Sequence, residues 1–403
     1  MDSSARQEFN RGFSDRLYTE YRRTLEAMVG EPVEFRLAET PLFFSDDLKS
    51  RLETASNEIV DQLSNPEMTA KLSEVVPPAW RVPNLDSLPR MATVDFAIVR
   101  DEENQLVPRL IELQGFPSLN AFEVLQRDAW AEILDGIGMG ADWSCWFSGL
   151  DRDSFVDLLR RTMLGGHDPA DVILVDIDPE KQKTRCDFAA TRKLLGVETV
   201  GIDQLTRDGR NLLRRMDDGT LRQVRRIHNR AIPDELIQKQ AALPFDYTDD
   251  LEVEWVPHPN WYWIWSKYAV IFLDHPTIPT SIDLSKLDEV PEDLTEGWVL
   301  KPLFSFAGGG VNIDPAPADI EAIPEEERPL WCLQQKVAYA PALQSVDGGG
   351  VKAEVRMMYL RPDDESELIL AENLVRLSRG KMLGVDFNRD FTWVGSSVGL
   401  HRG

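Results

Sequence analysis

The sequence predicts an α/β protein built from several α+β lobes. Its 403 residues exceed what one hydrophobic core usually supports, and 42% apolar and 9% aromatic residues are typical of a globular chain. Residues 1–75 carry helical spacing of apolar side chains, whereas residues 171–203 alternate between strand and helix patterns. We therefore predict three regions: 1–165, helical at its start; 166–250, a central lobe; and 251–403, a second strand-rich lobe.

The first region combines helices with a strand hairpin. Leu52, Ile59, Leu63 and Leu72 follow the spacing of one helix face, and Pro77-Pro78 ends this helical part. The segments MATVDFAIV and VPRLIELQG then flank a polar tip, DEENQ, which predicts two strands joined by a hairpin loop. FEVLQRDAWAEILDGIG follows as a helix ended by glycine.

The central region has the pattern of a βαβ unit. DVILVDID is a continuous apolar strand, TRCDFAATRKLLG a helix with a glycine stop, and VETVGID a second strand. This spacing predicts a Rossmann-like lobe within 166–250. The first strand is not followed by G-x-G-x-x-G, which disfavours an NAD-dependent oxidoreductase.

The third region contains the stretch WVLKPLFSFAGGGVN, residues 298–312. After a predicted helix around 264–274, an apolar strand ends in Lys301, and a glycine run follows at Gly308–Gly310. A lysine at a strand end can contact phosphate as a point charge, and glycines let backbone N–H groups approach phosphate oxygens. An ordinary tight turn beside a surface lysine is the alternative; a P-loop is excluded because GxxxxGK[ST] is absent.

The hairpin of the first region carries candidate metal ligands. Asp95 and Glu112 lie on the two predicted strands, and Gln114 shares a strand face with Glu112. Carboxylate and amide oxygens are ligands that Mg²⁺ accepts. Solvated carboxylates on a hairpin are equally compatible with this pattern.

Bulk charge and cysteine usage limit the partners. The net charge of −25 argues against nucleic acid and anionic membranes, which need a basic face. The three cysteines are far apart, and the N-terminal residues lack the apolar core of a signal peptide, so we expect a cytoplasmic location. GSSVG (395–399) lacks the downstream residues of a nucleophile elbow, and the five histidines have no ligand spacing.

The order of these motifs resembles the ATP-grasp superfamily. A helical lysine, Lys267, precedes IPT and the Lys301 strand, and WCLQQKV lies where such families place the strand that contacts adenine. The metal-type hairpin precedes the glycine loop, an order similar to the circular permutation of eukaryotic-type glutathione synthetase and glutathionylspermidine synthase-like ligases. The resemblance implies a circularly permuted ATP-grasp fold with a Rossmann-like central lobe and a helical N-terminal region.

The resemblance also implies an activity. It is an ADP-forming, ATP-dependent carboxylate–amine ligase that works through an acyl phosphate, with ATP and Mg²⁺ as cofactors, small-molecule acid and amine as substrates, and a possible homodimer. The implied residues are Lys267, Lys301, Gly308, Gly309, Gly310, Gln335 and Val337 for ATP; Asp95, Glu112 and Gln114 for metal; Arg356 and Arg376 for catalysis; and Ser118, Asn120, Arg379 and Lys381 for substrate.

Three departures leave an alternative open. Thr93 replaces an arginine of the family pattern, Gln114 replaces the metal-ligating asparagine, and Ser305 replaces a glutamate after the loop lysine. The alternative is a catalytically degenerate ATP-grasp protein that binds nucleotide in a regulatory role.

Overall fold

A computed structural model describes residues 1–140, 143–304, 309–380, 388 and 390–403. The α-helices in these ranges are α1 (Ser3–Gly12), α2 (Asp15–Val29), α3 (Asp46–Leu63), α4 (Pro66–Ser73), α5 (Asn120–Gly136), α6 (Arg152–Leu164), α7 (Arg185–Leu195), α8 (Pro233–Lys239), α9 (Trp261–Ile264), α10 (Lys267–Val270), α11 (Leu294–Gly297) and α12 (Pro317–Glu321).

The strands follow the same chain order. They are β1 (Leu42–Phe43), β2 (Met91–Arg100), β3 (Leu106–Gln114), β4 (Trp143–Ser144), β5 (Val172–Asp176), β6 (Glu198–Gly201), β7 (Thr206–Asp208), β8 (Asn211–Arg215), β9 (Leu221–Val224), β10 (Arg226–Asn229), β11 (Glu254–Val256), β12 (Ser281–Asp283), β13 (Trp298–Pro302), β14 (Trp331–Gln335), β15 (Pro341–Gln344), β16 (Gly350–Leu360), β17 (Ile369–Ser378), β18 (Gly395–Ser397) and β19 (Gly399–Arg402). The mixed α/β architecture that the sequence predicts is confirmed.

The largest sheet is antiparallel and joins the first and third regions of the chain. Its strand order is β18-β17-β16-β2-β3, with β15 also paired to β16. The hairpin β2–β3 is confirmed, and β16 from the third region pairs along β2. Residues from opposite ends of the chain therefore lie side by side on this sheet.

Helices of the first region pack beside this sheet. Ser14 and Ser45 cap α2 and α3 through their side chains, because a hydroxyl oxygen can accept from an unpaired N–H of the first helical turn. Tyr21 of α2 stacks on the buried Trp130 of α5 with ring centroids 3.9 Å apart. The predicted helical start of the chain is confirmed, and the short strand β1 interrupts it.

The central lobe is a parallel sheet of order β11-β10-β5-β6. Helix α7 connects β5 to β6 and ends at Gly196, which adopts a left-handed conformation with φ of 77°. The predicted βαβ unit is confirmed. Strand β11 lies beyond the predicted boundary at residue 250 yet belongs to this sheet.

The predicted helix around 264–274 is wrong in its extent. Two short helices, α9 and α10, are separated by Trp265 and Ser266. The Ser266 backbone is extended and its side chain caps α10, while the Trp265 carbonyl accepts from the Gly115 N–H at 2.8 Å. That carbonyl therefore bonds to the hairpin. Nearby, β12-β14-β13 form a small antiparallel sheet.

None of the helices in the described ranges combines the length and apolar character needed to cross a bilayer.

Candidate functional site

Charged side chains form a row across four neighbouring strands of the large sheet. Glu112 on β3 pairs in register with Asp95 on β2, and Asp95 pairs with Arg356 on β16. Two residues before Arg356 on β16, Glu354 pairs with Arg376 on β17. Residues two apart on a strand share a face, so these side chains meet on one side of the sheet.

Asp95 is the centre of this row. It is fully buried, and Arg356 donates to its two carboxylate oxygens, from Nε at 2.8 Å and from Nη2 at 2.6 Å. Nη2 of Arg376 donates to the same carboxylate at 3.2 Å and also bonds to Glu354. The other Glu354 oxygen accepts from the Tyr339 hydroxyl at 2.9 Å. The two arginines predicted to be catalytic are thus held by carboxylates.

Two lysines from the third region approach β3. Lys267, the first residue of α10, places Nζ 3.8 Å from Oε2 of Glu112. Lys301, on β13, donates from Nζ to the carbonyl of Ile111 at 3.4 Å, one residue before Glu112. Each lysine is only 7% exposed. The structure therefore brings the predicted phosphate lysines to the predicted metal hairpin.

The lysine-bearing strand has a polar partner that the sequence interpretation missed. Gln334 on β14 is buried, accepts from Nζ of Lys301 and donates to the Ser281 hydroxyl at 2.9 Å. Cys332 pairs in register with Lys301, and Gln334 lies two residues further along β14, on the same face. The sequence signal for this contact was a polar residue directly after the apolar residues of the strand. Gln334 positions the Lys301 ammonium group beside β3.

Burial and charge set the protonation of this cluster. Burial lowers the pKa of Lys301, and the positive charge of Lys267 acts in the same direction. Burial raises the pKa of Glu112, but the charges of Lys267, Arg376 and Arg356 together bring it below its ordinary value. Burial raises the pKa of Glu354 despite the neighbouring Arg376. A buried anion would favour the charged form of Lys301.

A small cavity of about 30 Å³ opens beside Glu112. Its polar lining includes Glu112, Gln114, Ser266 and Lys267, and its remaining lining is Leu113, Gly115, Phe116, Tyr262, Trp265, Leu303 and Phe304. The predicted metal hairpin and the helical lysine thus face one common cavity.

The glycine loop is closed at its base. Leu300 and Asn312 exchange backbone hydrogen bonds at 2.9 and 2.8 Å, so the segment between them returns to the strand that carries Lys301. Gly310 has φ of +73°, a conformation that side chains other than glycine rarely adopt. Gly309 is exposed. Gly308 and Ser305 lie outside the described residues, and the phosphate role of the loop stays a prediction.

The loop after β3 is held firmly from three sides. A Cβ atom on Gly115 would lie 2.4 Å from the Trp261 carbonyl oxygen, so only glycine fits there. Arg230 donates to the Pro117 carbonyl at 3.0 Å, and Asp187 accepts from the Leu119 N–H at 2.9 Å. The central lobe therefore positions this loop.

The two predicted substrate residues of this loop differ in burial. Ser118 is half-buried, whereas Asn120 is 5% exposed and its Oδ1 has no hydrogen-bond partner among the described residues. Their contact with substrate stays a prediction.

The other described residues among the predictions make no contact with the cluster that the structure records. Gln335 is exposed at the end of β14, and Val337 follows that strand. Arg379 bonds to Asp347 at 3.1 Å, on the loop between β15 and β16. Lys381 lies outside the described residues. The adenine and substrate roles of these positions stay predictions.

The predicted metal ligands do not fit Mg²⁺ in this structure. Both Asp95 oxygens bond to guanidinium groups, and Gln114 turns its amide nitrogen toward Oε1 of Glu112 at 2.6 Å. Mg²⁺ requires oxygen ligands at close to octahedral positions. Within the described ranges, no three His, Cys, Asp or Glu side chains are grouped so as to hold a metal ion. The physical reason is the register that places Arg356 opposite Asp95.

Comparison with known proteins adds information on the fold. No protein-family model matches the chain, and no curated protein matches its sequence. Among solved structures, the apo form of a glutathione synthetase-like effector from Globodera pallida is similar, with a TM-score of 0.59 and 10% sequence identity. The match covers 97% of this chain and 98% of the effector chain. The chain therefore shares its fold with a glutathione synthetase-like protein along nearly its whole length.

Proposed function

We propose that the chain is a circularly permuted ATP-grasp ligase that joins a carboxylate to an amine at the expense of ATP. The observation that supports this most is the approach of Lys267 and Lys301 to β3, where Glu112 lies. Parts of the chain separated by about 190 residues meet at one cationic site, as a triphosphate ligand requires.

The reaction needs no side-chain nucleophile. A carboxylate oxygen of the acid attacks the γ-phosphorus of ATP, ADP leaves, and an acyl phosphate forms. The amine nitrogen then attacks the acyl carbon, which releases phosphate and a proton and forms the amide. The protein contributes positioning and charge stabilisation.

The residues divide this work by position. Lys267 and Lys301 bind the phosphates, and Gln334 orients Lys301. Arg376, with 38% of its side chain exposed, is the arginine of the cluster that a ligand can reach. The rigid loop at residues 115–120 bounds the acceptor side of the site.

A second candidate is a regulatory protein that binds nucleotide without turnover. It is favoured by the pairing of Arg356 and Arg376 with Asp95, which leaves these arginines already engaged. Under this candidate, ATP binds at the same lysines, but no acid and amine pair releases ADP.

The test is an ADP-release screen with Mg²⁺ in the buffer, across carboxylates paired with amines. The ligase proposal expects release with at least one pair and its loss in Lys301→Ala. The matched control is Lys286→Ala, because Lys286 is a surface lysine with 68% of its side chain exposed. ATP binding without ADP release across the screen would favour the regulatory candidate. An unchanged rate in Lys301→Ala would remove Lys301 from the site.

A further inference from the structure

Asp95, one of the two carboxylates predicted to bind metal, forms a closed network with Arg356, Arg376 and Glu354. We infer that this site neutralises nucleotide phosphate with its fixed cations and binds nucleotide without a metal ion held by the protein. The inference rests on the nucleotide binding of the proposed function and specifies that the protein contributes no metal ion to the bound nucleotide. It is carried by the geometry of Asp95, Arg356 and Arg376.

Both carboxylate oxygens of Asp95 are already occupied by arginine donors. Arg356 binds Asp95 in the two-pronged geometry that arginine and carboxylate adopt, at 2.8 and 2.6 Å, and Arg376 adds a third donor at 3.2 Å. A divalent cation on Asp95 would have to displace Arg356 inside a buried site. It would then lie next to two guanidinium charges.

The cluster carries more cationic than anionic side chains. Its cations outnumber its carboxylates by four to three: Lys267, Lys301, Arg356 and Arg376 against Asp95, Glu112 and Glu354. An added cation increases this positive surplus, whereas a polyanion offsets it. The cluster is therefore complementary to phosphate and not to a metal ion.

The members of the network differ in their exposure to an incoming ligand. Asp95 is fully buried and Arg356 has a 9% exposed side chain, whereas Arg376 is 38% exposed. A guanidinium group carries five N–H donors, and the bonds of Arg376 to Asp95 and Glu354 both come from its Nη2 atom. Arg376 thus keeps donor capacity for an incoming anion while Asp95 holds it in place.

The first test is calorimetric titration of the full chain with ATP, in EDTA and in excess Mg²⁺. We expect the two dissociation constants to agree within about threefold, less than 1 kcal/mol. Binding that requires Mg²⁺ would overturn the inference and leave the nucleotide site standing. A lack of binding in both buffers would overturn the nucleotide site and the inference with it.

The second test measures metal directly, by the electron paramagnetic resonance of free Mn²⁺ without nucleotide. We expect the wild type to leave the Mn²⁺ signal unchanged and Arg356→Met, which frees Oδ1 of Asp95, to reduce it. Arg356→Lys keeps a cation beside Asp95 and should behave like the wild type; circular dichroism confirms that each variant is folded. A wild type that binds a stoichiometric Mn²⁺ ion, and loses it in Glu112→Gln, would contradict the inference.

Discussion

Replacing Arg356 by methionine should destabilise the folded protein strongly. The change leaves Asp95, which is fully buried, without its two-pronged partner. Removing one partner of a buried ion pair costs about 3–5 kcal/mol, because the other charge stays buried. Arg376 still donates to Asp95 at 3.2 Å, so we expect a loss near the lower end, about 3 kcal/mol. Urea unfolding followed by tryptophan fluorescence measures this loss.

The matched control is an exposed pair of the same chemistry. Arg210 and Asp250 lie 2.8 Å apart with side chains 59% and 60% exposed, so Arg210→Met should cost no more than about 1 kcal/mol. Adding Asp95→Asn to Arg356→Met should recover part of the loss, since the unpaired charge is gone. Equal costs for Arg356→Met and Arg210→Met would refute the buried pairing on which the metal argument depends.

Two further substitutions test the surroundings of the site. Gly115→Ala should destabilise the fold and lower ATP affinity, because its Cβ would meet the Trp261 carbonyl oxygen. The control Gly136→Ala has open space around its Cβ and should be tolerated. A thermal melt of Gly115→Ala that coincides with that of the wild type would contradict this prediction. Burial raises the pKa of Asp176 to about 6, above its unfolded value of about 3.9. The folded protein therefore binds the Asp176 proton more tightly than the unfolded chain does. The resulting stabilisation is full below about pH 4 and is lost as the pH rises through 6. The free energy of unfolding of Asp176→Asn should therefore rise relative to that of the wild type by up to about 3 kcal/mol between about pH 4 and pH 7. Urea unfolding of both proteins at each pH measures this difference. Parallel curves of unfolding free energy against pH would contradict the prediction.

Local sequence signals were sufficient for much of the fold. The hairpin β2–β3, the βαβ unit of β5, α7 and β6, and the early helices all rest on periodicity and turn residues within a few positions. The position of Lys301 on a strand could also be predicted, because an apolar run directly precedes it on β13. These features depend on residues that are close together in the sequence, so one sequence is enough to predict them.

The chemistry of Asp95 depends on a neighbour far away in the sequence. Asp95 and Arg356 are 261 residues apart, and only the pairing of β2 with β16 places them opposite each other. Without that register, a carboxylate on a hairpin is indistinguishable from a metal ligand. The break between α9 and α10 has a similar origin, because the Trp265 carbonyl bonds to Gly115, which directly follows the distant strand β3.

The most direct measurement is a crystal structure of the chain with a non-hydrolysable ATP analogue. We predict that phosphate oxygens of the analogue lie within hydrogen-bonding reach of Nζ of both Lys267 and Lys301. An analogue bound elsewhere, or one that contacts neither lysine, would contradict it.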